Sequence, residues 1–313
     1  MRRTAAAAWA LVTLLATSGC TAIDATVPHT ARASAPAPHP SVTAAAAPTQ
    51  PARLAPPAVN GLSWHAVGTV VSGRPVTFLA ATRSGSIALL WMDPSALSFR
   101  FIPGTQFPEG GPILAADRQA DTWVPRLAAA FNGAFKLRDH VGGYYYAGRT
   151  VSPLRPGLAS IVVDDAGRLS VVQWGRDRSS VAGVQVVRQN MGLLVDQSIS
   201  QATAHDSNSR WGWADHDTRL ANRSALGELA DGSLVYAFGH TVTALDLADA
   251  LVQAQARTAI MLDMNLAQPM GYVYWHQAGT VVGQRVLPAV YHSPSIYLAA
   301  GYYKDFVVAL VRP

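Results

Sequence analysis

The sequence predicts an α+β fold with a mixed, largely antiparallel β-sheet core, few flanking helices and one strand–helix–strand unit near the C-terminus. Two observations lead to this prediction. From residue 66 onward, short apolar runs alternate with turns rich in Gly, Pro, Ser and Asp, at the spacing of an antiparallel meander. A single strong helix signal then follows near residue 243, with strand-like residues on both sides of it.

The predicted strands follow one another along the chain. The first group covers residues 66–71, 76–82, 87–92, 97–102 and 127–131. The second group covers residues 144–147, 159–163, 169–174, 184–188 and 193–195. Two more strands are expected within residues 291–310.

The helix signal begins at Thr243, which is placed to cap a helix, and Asp246 completes a variant of the capping box. Apolar residues then recur at helical spacing through residue 252. The flanking strands are predicted over 234–238 and 258–262, so Asp263 directly follows the second strand. Because ligands of α/β sheets bind beyond the carboxyl ends of strands, Asp263 is a candidate for chemistry, with a simple turn as the alternative.

The first 20 residues have the form of a secretory signal: a positive start, an apolar run over 5–16, and small residues before Cys20. The sequence 17–20 (Thr-Ser-Gly-Cys) resembles a bacterial lipobox, with Thr17 where Leu is usual. We expect lipidation at Cys20, the only cysteine, and a plain signal peptide is the alternative. Two acyl chains are enough for stable anchoring, which predicts an extracytoplasmic protein held at the cell membrane.

Residues 21–59 are predicted to be a disordered Ala/Pro-rich tether, since this segment contains eight of the 20 prolines and almost no large apolar side chains. Residues 60–313 then form one domain, without an internal repeat or a second linker. Because no basic run alternates with aromatic residues, nucleic acid is not an expected partner. Lys136 and Lys304 are the only lysines, which we attribute mainly to a biased genome.

Three segments place polar groups able to bind an anion directly after an apolar strand: 131–136 (Phe-Asn-Gly-Ala-Phe-Lys), 222–227 (Asn-Arg-Ser-Ala-Leu-Gly) and 262–265 (Leu-Asp-Met-Asn). Each alone is most simply a structural turn. Together they resemble the phosphodiester glycosidase family (N-acetylglucosamine-1-phosphodiester alpha-N-acetylglucosaminidase-like), whose usual motifs are Asn-Gly-Gly-Phe-Phe, Arg-Thr-Ala-Ile-Gly and Leu-Asp-Gly-Gly-Gly-Ser. The resemblance covers about residues 64–300 and extends to secreted actinobacterial proteins whose last motif is Leu-Asp-x-Asn.

The resemblance implies an envelope-anchored hydrolase of glycosyl-1-phosphodiester bonds. Such a substrate has a good leaving group, so the main requirements are a cation for the phosphate and a carboxylate at the anomeric carbon. Arg223 is the predicted cation, Asp263 the predicted nucleophile or base for water, and Asn132 the third catalytic candidate. Candidate substrate-binding residues are Gly133, Ala134, Arg149, Gln189, Asn190, Ser224 and Asn265.

The alternative hypothesis is a non-catalytic domain that binds wall glycan or a partner protein. Met264 and Leu266, where the family motif has glycines, favour this alternative. The histidines show no zinc-type spacing, so no metal or cofactor is expected, although a divalent cation in the loop 205–217 stays an alternative. Several aromatic residues are interpreted as core packing or as a sugar platform, namely Tyr144, Tyr145, Tyr146, Trp174, Trp211 and Trp213.

Overall fold

The computed structural model describes residues 55–106, 119–139, 141–207, 209–213 and 219–313. The predicted signal peptide, the lipidation of Cys20 and the tether up to residue 54 lie outside these residues and stay predictions. No helix in the described ranges has the length and apolar character needed to cross a membrane.

The described residues form four sheets, and every pairing between their strands is antiparallel. The largest sheet has eight strands in the order β1-β4-β5-β16-β15-β17-β13-β14. These strands are β1 (His65–Ala66), β4 (Thr77–Ala81), β5 (Ile87–Met92), β13 (Leu193–Asp196), β14 (Ile199–Ser200), β15 (Ala221–Leu229), β16 (Leu234–Val242) and β17 (Ala256–Met264).

Two five-stranded sheets and one two-stranded ribbon complete the architecture. One five-stranded sheet has the order β11-β10-β12-β8-β9, with β8 (Tyr144–Tyr146), β9 (Arg149–Ser152), β10 (Ala159–Asp164), β11 (Leu169–Gln173) and β12 (Val184–Asn190). The other has the order β19-β18-β7-β20-β6, with β6 (Leu97–Ile102), β7 (Leu127–Asn132), β18 (Gly271–Gln277), β19 (Thr280–Arg285) and β20 (Phe306–Val311). The ribbon pairs β2 (Val70–Val71) with β3 (Arg74–Pro75).

The predicted α+β class with a mixed sheet is wrong, because the fold is dominated by antiparallel sheet, with 45% strand and 10% helix. The predicted strand–helix–strand unit is present as β16, helix α1 (Ala244–Gln253) and β17. However, β15 lies between β16 and β17 and pairs antiparallel with both, so the crossover creates no parallel pair. Of the two strands predicted over 291–310, only β20 forms, and Pro294–Tyr297 is a 3-10 helix.

Helix α1 covers one face of the eight-stranded sheet. The capping box predicted at its start is confirmed: Thr243 Oγ1 accepts from the Asp246 amide at 3.1 Å, and an Asp246 carboxylate oxygen accepts from the Thr243 amide at 2.9 Å. Leu247 and Leu251 of α1 are fully buried in a core cluster with side chains of β5, β15, β16 and β17. The opposite face of the large sheet contributes to a second core cluster, shared with the five-stranded sheets.

Glu228 joins β11 to the large sheet at the end of β15. One of its carboxylate oxygens accepts from the Val171 amide at 2.7 Å, and Thr258 Oγ1 donates to the Val171 carbonyl at 2.8 Å. Burial of Glu228 raises the pKa of its carboxyl to about 7, against the opposing effect of the Val171 amide. Near neutral pH the Glu228 carboxyl group, which contacts the Val171 amide, is therefore partly protonated.

We predict that the Glu228→Gln variant removes a pH dependence of stability. The folded state retains the Glu228 proton up to about pH 7, whereas the unfolded chain releases it above its ordinary pKa of 4.5. The wild-type free energy of unfolding should therefore fall as the pH rises from about 4.5 to 7, by at most about 3 kcal/mol. Urea unfolding at pH 5 and pH 7.5 measures this difference, which should be smaller in Glu228→Gln. An equal pH dependence in both proteins would contradict the assignment.

Candidate active site

A bulge at the end of β17 sets the direction of Asp263. Across this part of the ladder, Arg223 pairs with Met264 and Ala225 pairs with Met261, so β17 has one more residue than β15. Such bulges re-aim side chains and are frequent beside active sites. Here the Asp263 carboxylate is directed to Lys304, while the Met264 sulfur lies 3.7 Å from an Arg223 nitrogen.

The Asp263 carboxylate is buried and forms an ion pair with Lys304. Its second oxygen accepts from the Met264 amide at 2.9 Å. Burial lowers the pKa of Lys304 to about 8, and among the smaller influences Asp305 raises it and Lys136 lowers it. Lys304 therefore loses its proton at a lower pH than an exposed lysine does.

A second buried ion pair lies directly beside the first. Asp305 follows Lys304 in the chain, and its carboxylate accepts from Arg188 Nε at 2.9 Å, with both side chains almost fully buried. Burial raises the pKa of Asp305, whereas Arg188 opposes that shift. Arg188 also donates to the carbonyl oxygens of Phe135 and Gln189. The adjacent residues Lys304 and Asp305 thus pair with Asp263 on β17 and with Arg188 on β12.

Asn132 and Ser224, two of the predicted site residues, lie next to Asp263 but are bonded within the fold. Asn132 Oδ1 accepts from the Tyr236 hydroxyl and the Met270 amide, each at 2.9 Å. Asn132 Nδ2 donates to Ser224 Oγ at 2.9 Å, and Ser224 Oγ donates to the Asp263 carbonyl at 2.7 Å. The network fixes the main chain of Asp263 and leaves its carboxylate directed to Lys304.

The predicted anion-binding amides of Gly133 and Ala134 also donate within the protein. The Gly133 amide donates to the Asp305 carbonyl at 3.0 Å, and the Ala134 amide donates to the Asp305 carboxylate. The Gly133 carbonyl accepts from the Asp263 amide at 3.0 Å. The segment after β7 therefore holds Asp263 and Asp305 in register and does not present these amides to a ligand.

The structure does not bring the Arg223 guanidinium to the Asp263 carboxylate. Arg223 is 2% exposed and donates to the carbonyl oxygens of Val242, Trp211 and Arg219 at 3.0–3.2 Å. It lines a separate small cavity beside the start of α1. Burial lowers the pKa of Arg223 to about 10, although the Asp206 carboxylate lines the same cavity. Arg223 thus attaches the segment around residue 211 to the sheet.

The remaining predicted residues lie in different surroundings. Gln189 is buried and holds the segment 143–155 through the Gly143 amide and both main-chain groups of Arg155. Asn190 is buried, and its Nδ2 donates to the Met261 carbonyl at 2.7 Å. Arg149 lies on the exposed edge strand β9. Of this group, only Asn265 lines the same cavity as Asp263.

That cavity, which we call the Asp263 cavity, has a volume of about 490 Å³ and opens at the end of β17. This volume is within the range of small-molecule sites. Its charged side chains are Lys136, Asp139, Asp263 and Lys304. Asn265 adopts a left-handed conformation at its edge (φ 79°) and donates to the Trp213 carbonyl at 3.3 Å. Trp213 is 69% exposed, unlike Trp174 and Trp211, which are buried.

Sequence reasoning missed the role of Lys304. Both lysines of the chain, Lys136 and Lys304, line the Asp263 cavity, although they are far apart in sequence. The scarcity of lysine does not by itself explain why the two lysines meet in one cavity. The rarity of lysine in this sequence was the one signal that could have indicated Lys304 as a candidate site residue.

The described residues contain no group of three or more His, Cys, Asp and Glu side chains arranged to hold a metal ion. The suggested cation loop 205–217 is described only in part, since residues 208 and 214–218 lie outside the described ranges. Within it, the Asp206 carboxylate accepts from Thr203, Arg210 and Trp211. These donors already use the oxygens that a cation would need.

A scan against protein-family models finds no match, and no curated protein matches the chain. Among solved structures, this chain is similar to the catalytic domain of zebrafish N-acetylglucosamine-1-phosphodiester alpha-N-acetylglucosaminidase, auto-inhibited by its pro-peptide. The identity is 16% and the TM-score is 0.46, and the match covers 80% of this chain and 89% of that chain. This chain is also similar to a hypothetical protein from Synechocystis, with 14% identity, a TM-score of 0.37, and coverage of 80% of this chain and 62% of that chain.

We predict that Gly133→Ala destabilises the protein strongly. A Cβ at residue 133 would lie 2.2 Å from an Asp305 carboxylate oxygen and 2.9 Å from the Asp305 carbonyl oxygen, so the buried ion pair with Arg188 would have to move. The expected loss is on the order of 3 kcal/mol of unfolding free energy in urea titrations.

Gly192→Ala is the matched control for this variant. Its Cβ would have no neighbour within 4 Å, and Gly192 does not have a left-handed conformation. Its stability should be unchanged or slightly increased. Equal losses in the two variants would show that close packing against Asp305 is not what requires glycine at residue 133.

Proposed function

We propose that the protein is an envelope-anchored hydrolase that cleaves glycosyl-1-phosphodiester bonds in the Asp263 cavity, with its lipid anchor at Cys20. The observation that carries the proposal is the convergence of one buried carboxylate, Asp263, with both lysines of the chain in a cavity of about 490 Å³. A sugar phosphodiester needs a cation for its phosphate and a carboxylate near its anomeric carbon, and this cavity supplies both.

In this proposal, Lys304 and Lys136 take the phosphate-binding role that the sequence assigned to Arg223. Water attacks the anomeric carbon, and the bond between that carbon and the phosphate oxygen breaks. The phosphate monoester leaves with the bonding electrons, and Asp263 accepts the proton of the attacking water before releasing it to solvent. Attack by Asp263 itself, followed by hydrolysis of the glycosyl ester, requires the same placement of groups.

The ion pair between Asp263 and Lys304 couples substrate binding to the activation of Asp263. While Lys304 contacts Asp263, its ammonium group occupies one oxygen of the carboxylate. A phosphate that draws Lys304 away leaves Asp263 with the Met264 amide as its remaining donor. The released oxygen can then accept a proton from the attacking water when the substrate is in place.

A second candidate function is binding of an anionic wall glycan without hydrolysis. Both Asp263 oxygens accept hydrogen bonds, from Lys304 and from the Met264 amide, which favours a structural role for the carboxylate. Met264 and Leu266 also stand where the family motif has glycines, so the main chain has less access to a phosphate. In this case the lysines would bind the anion and no bond would break.

The Asp263→Asn variant separates the two functions. The asparagine side chain would keep the shape of the site and an oxygen for Lys304, but the buried Lys304 charge would lose its partner, so the variant should fold with lower stability. Turnover should fall at least about 1,000-fold. The measurement is release of free sugar from an N-acetylglucosamine-1-phosphodiester and from several wall polymers, with circular dichroism as the check on folding. Asp121→Asn, at an exposed position outside the cavity, is the control and should retain full activity. Unchanged turnover in Asp263→Asn would remove Asp263 from the mechanism, and no release by the wild-type protein would favour the binding function.

We also predict that kcat/KM falls above about pH 8, where Lys304 loses its proton and with it the charge that attracts phosphate. In Lys304→Arg the guanidinium stays charged, so the alkaline limb should move to higher pH even if the overall rate is lower. Rates of sugar release measured from pH 6 to pH 10 test this. An alkaline limb at the same pH in both proteins would assign the titration to another group.

A further inference from the structure

The lining of the Asp263 cavity contains two chemically different sets of side chains. The charged set is Lys136, Asp139, Asp263 and Lys304. The apolar set, which we call the apolar wall, is Phe135, Val141, Met191 and Met264. Phe135 and Met264 are almost fully buried, and the partly exposed side chains of Val141 and Met191 pack against them. A ligand that bound only through sugar hydroxyls and phosphate would leave the exposed parts of Val141 and Met191 without a partner.

The apolar wall continues to the exposed mouth of the cavity. Gly212 lies so close to it that an added Cβ would be 2.5 Å from the Phe135 ring and 2.6 Å from the Met264 sulfur. This close approach brings the next residue, Trp213, to the cavity edge. Trp213 is 69% exposed, and Leu266, the residue after Asn265, is 65% exposed. Trp213 lines the cavity, and Leu266 lies outside the lining but is bonded to Asn265, which is part of it. An exposed apolar side chain is therefore present in the lining and another is present beside it.

We propose that the substrate is amphipathic: a glycosyl phosphodiester whose aglycone is an alkyl or prenyl chain. This inference rests on the proposed function and names its substrate class. The phosphate binds at Lys136 and Lys304, and the first carbons of the chain lie on the partly exposed side chains of Val141 and Met191. An unbranched methionine side chain adapts its shape to a flexible chain. The chain then leaves the cavity along Trp213 toward Leu266.

An alkyl chain that enters the cavity gains affinity from the apolar area that it removes from water. Each methylene that becomes fully buried increases affinity roughly fourfold. A short polar aglycone, such as a second sugar, would gain from stacking on Trp213 but would not depend on Leu266. Dependence on Leu266 and on chain length therefore distinguishes an apolar aglycone from a sugar.

The test compares N-acetylglucosamine-1-phosphodiesters that carry methyl, butyl or hexyl aglycones. The hexyl substrate should have a kcat/KM at least tenfold above that of the methyl substrate. Leu266→Ser should reduce this ratio to less than threefold while leaving the methyl substrate nearly unaffected, and Trp213→Ser should also reduce the ratio. Ile199→Ser is the matched control, because Ile199 is 64% exposed on the edge strand β14 and neither lines the cavity nor adjoins a residue that does. Its ratio should stay that of the wild type.

Calorimetric binding of ethyl phosphate and hexyl phosphate to the same proteins separates this inference from the proposed function. Hydrolysis with no effect of chain length would overturn the inference and leave the proposed function in place. No hydrolysis, together with at least tenfold tighter binding of hexyl phosphate that Leu266→Ser abolishes, would overturn the hydrolase and support the amphipathic ligand. Absence of hydrolysis and of any chain-length effect on binding would overturn both.

Discussion

Two adjacent buried ion pairs, Lys304 with Asp263 and Arg188 with Asp305, determine the arrangement of this end of the protein. Lys304 and Asp305 belong to one short segment before β20, while their partners come from β17 and β12. Loss of one member of a buried pair leaves an unpaired charge inside the protein, which typically costs about 3–5 kcal/mol. The two ion pairs therefore hold β12, β17 and the start of β20 in one relative position. They also fix Asp263 and Lys304 in the lining of the Asp263 cavity.

Hydrogen bonds fix the main chain of Asp263 as well as its carboxylate. The chain of hydrogen bonds from Tyr236 through Asn132 and Ser224 ends at the Asp263 carbonyl and connects β16, β7, β15 and β17. The bulge in β17 turns the side chain toward Lys304. Motif residues that resemble those of a catalytic site thus act here through the backbone, and the direct contacts with the carboxylate come from Lys304 and the Met264 amide.

Local signals in the sequence predicted local structure, whereas the long-range arrangement depended on pairings that no local pattern specifies. The capping box at Thr243 and the position of Asp263 near the end of a strand could be predicted because each depends on residues close in sequence. The insertion of β15 between β16 and β17 could not, since an apolar run does not indicate its neighbours. Lys304 was missed for the same reason, because it reaches Asp263 across 41 residues of sequence.

Arg223 shows that a motif does not determine the contacts of its side chains. An arginine after an apolar strand suggests an anion site, but its environment is decided by the face of the sheet on which it lies. On β15 its side chain is on the face covered by α1, where it donates to three carbonyl oxygens. One of these belongs to Trp211, two residues before Trp213 at the cavity mouth. Arg223 therefore supports the candidate site from the opposite face of the sheet, by holding the segment that carries Trp213 in place.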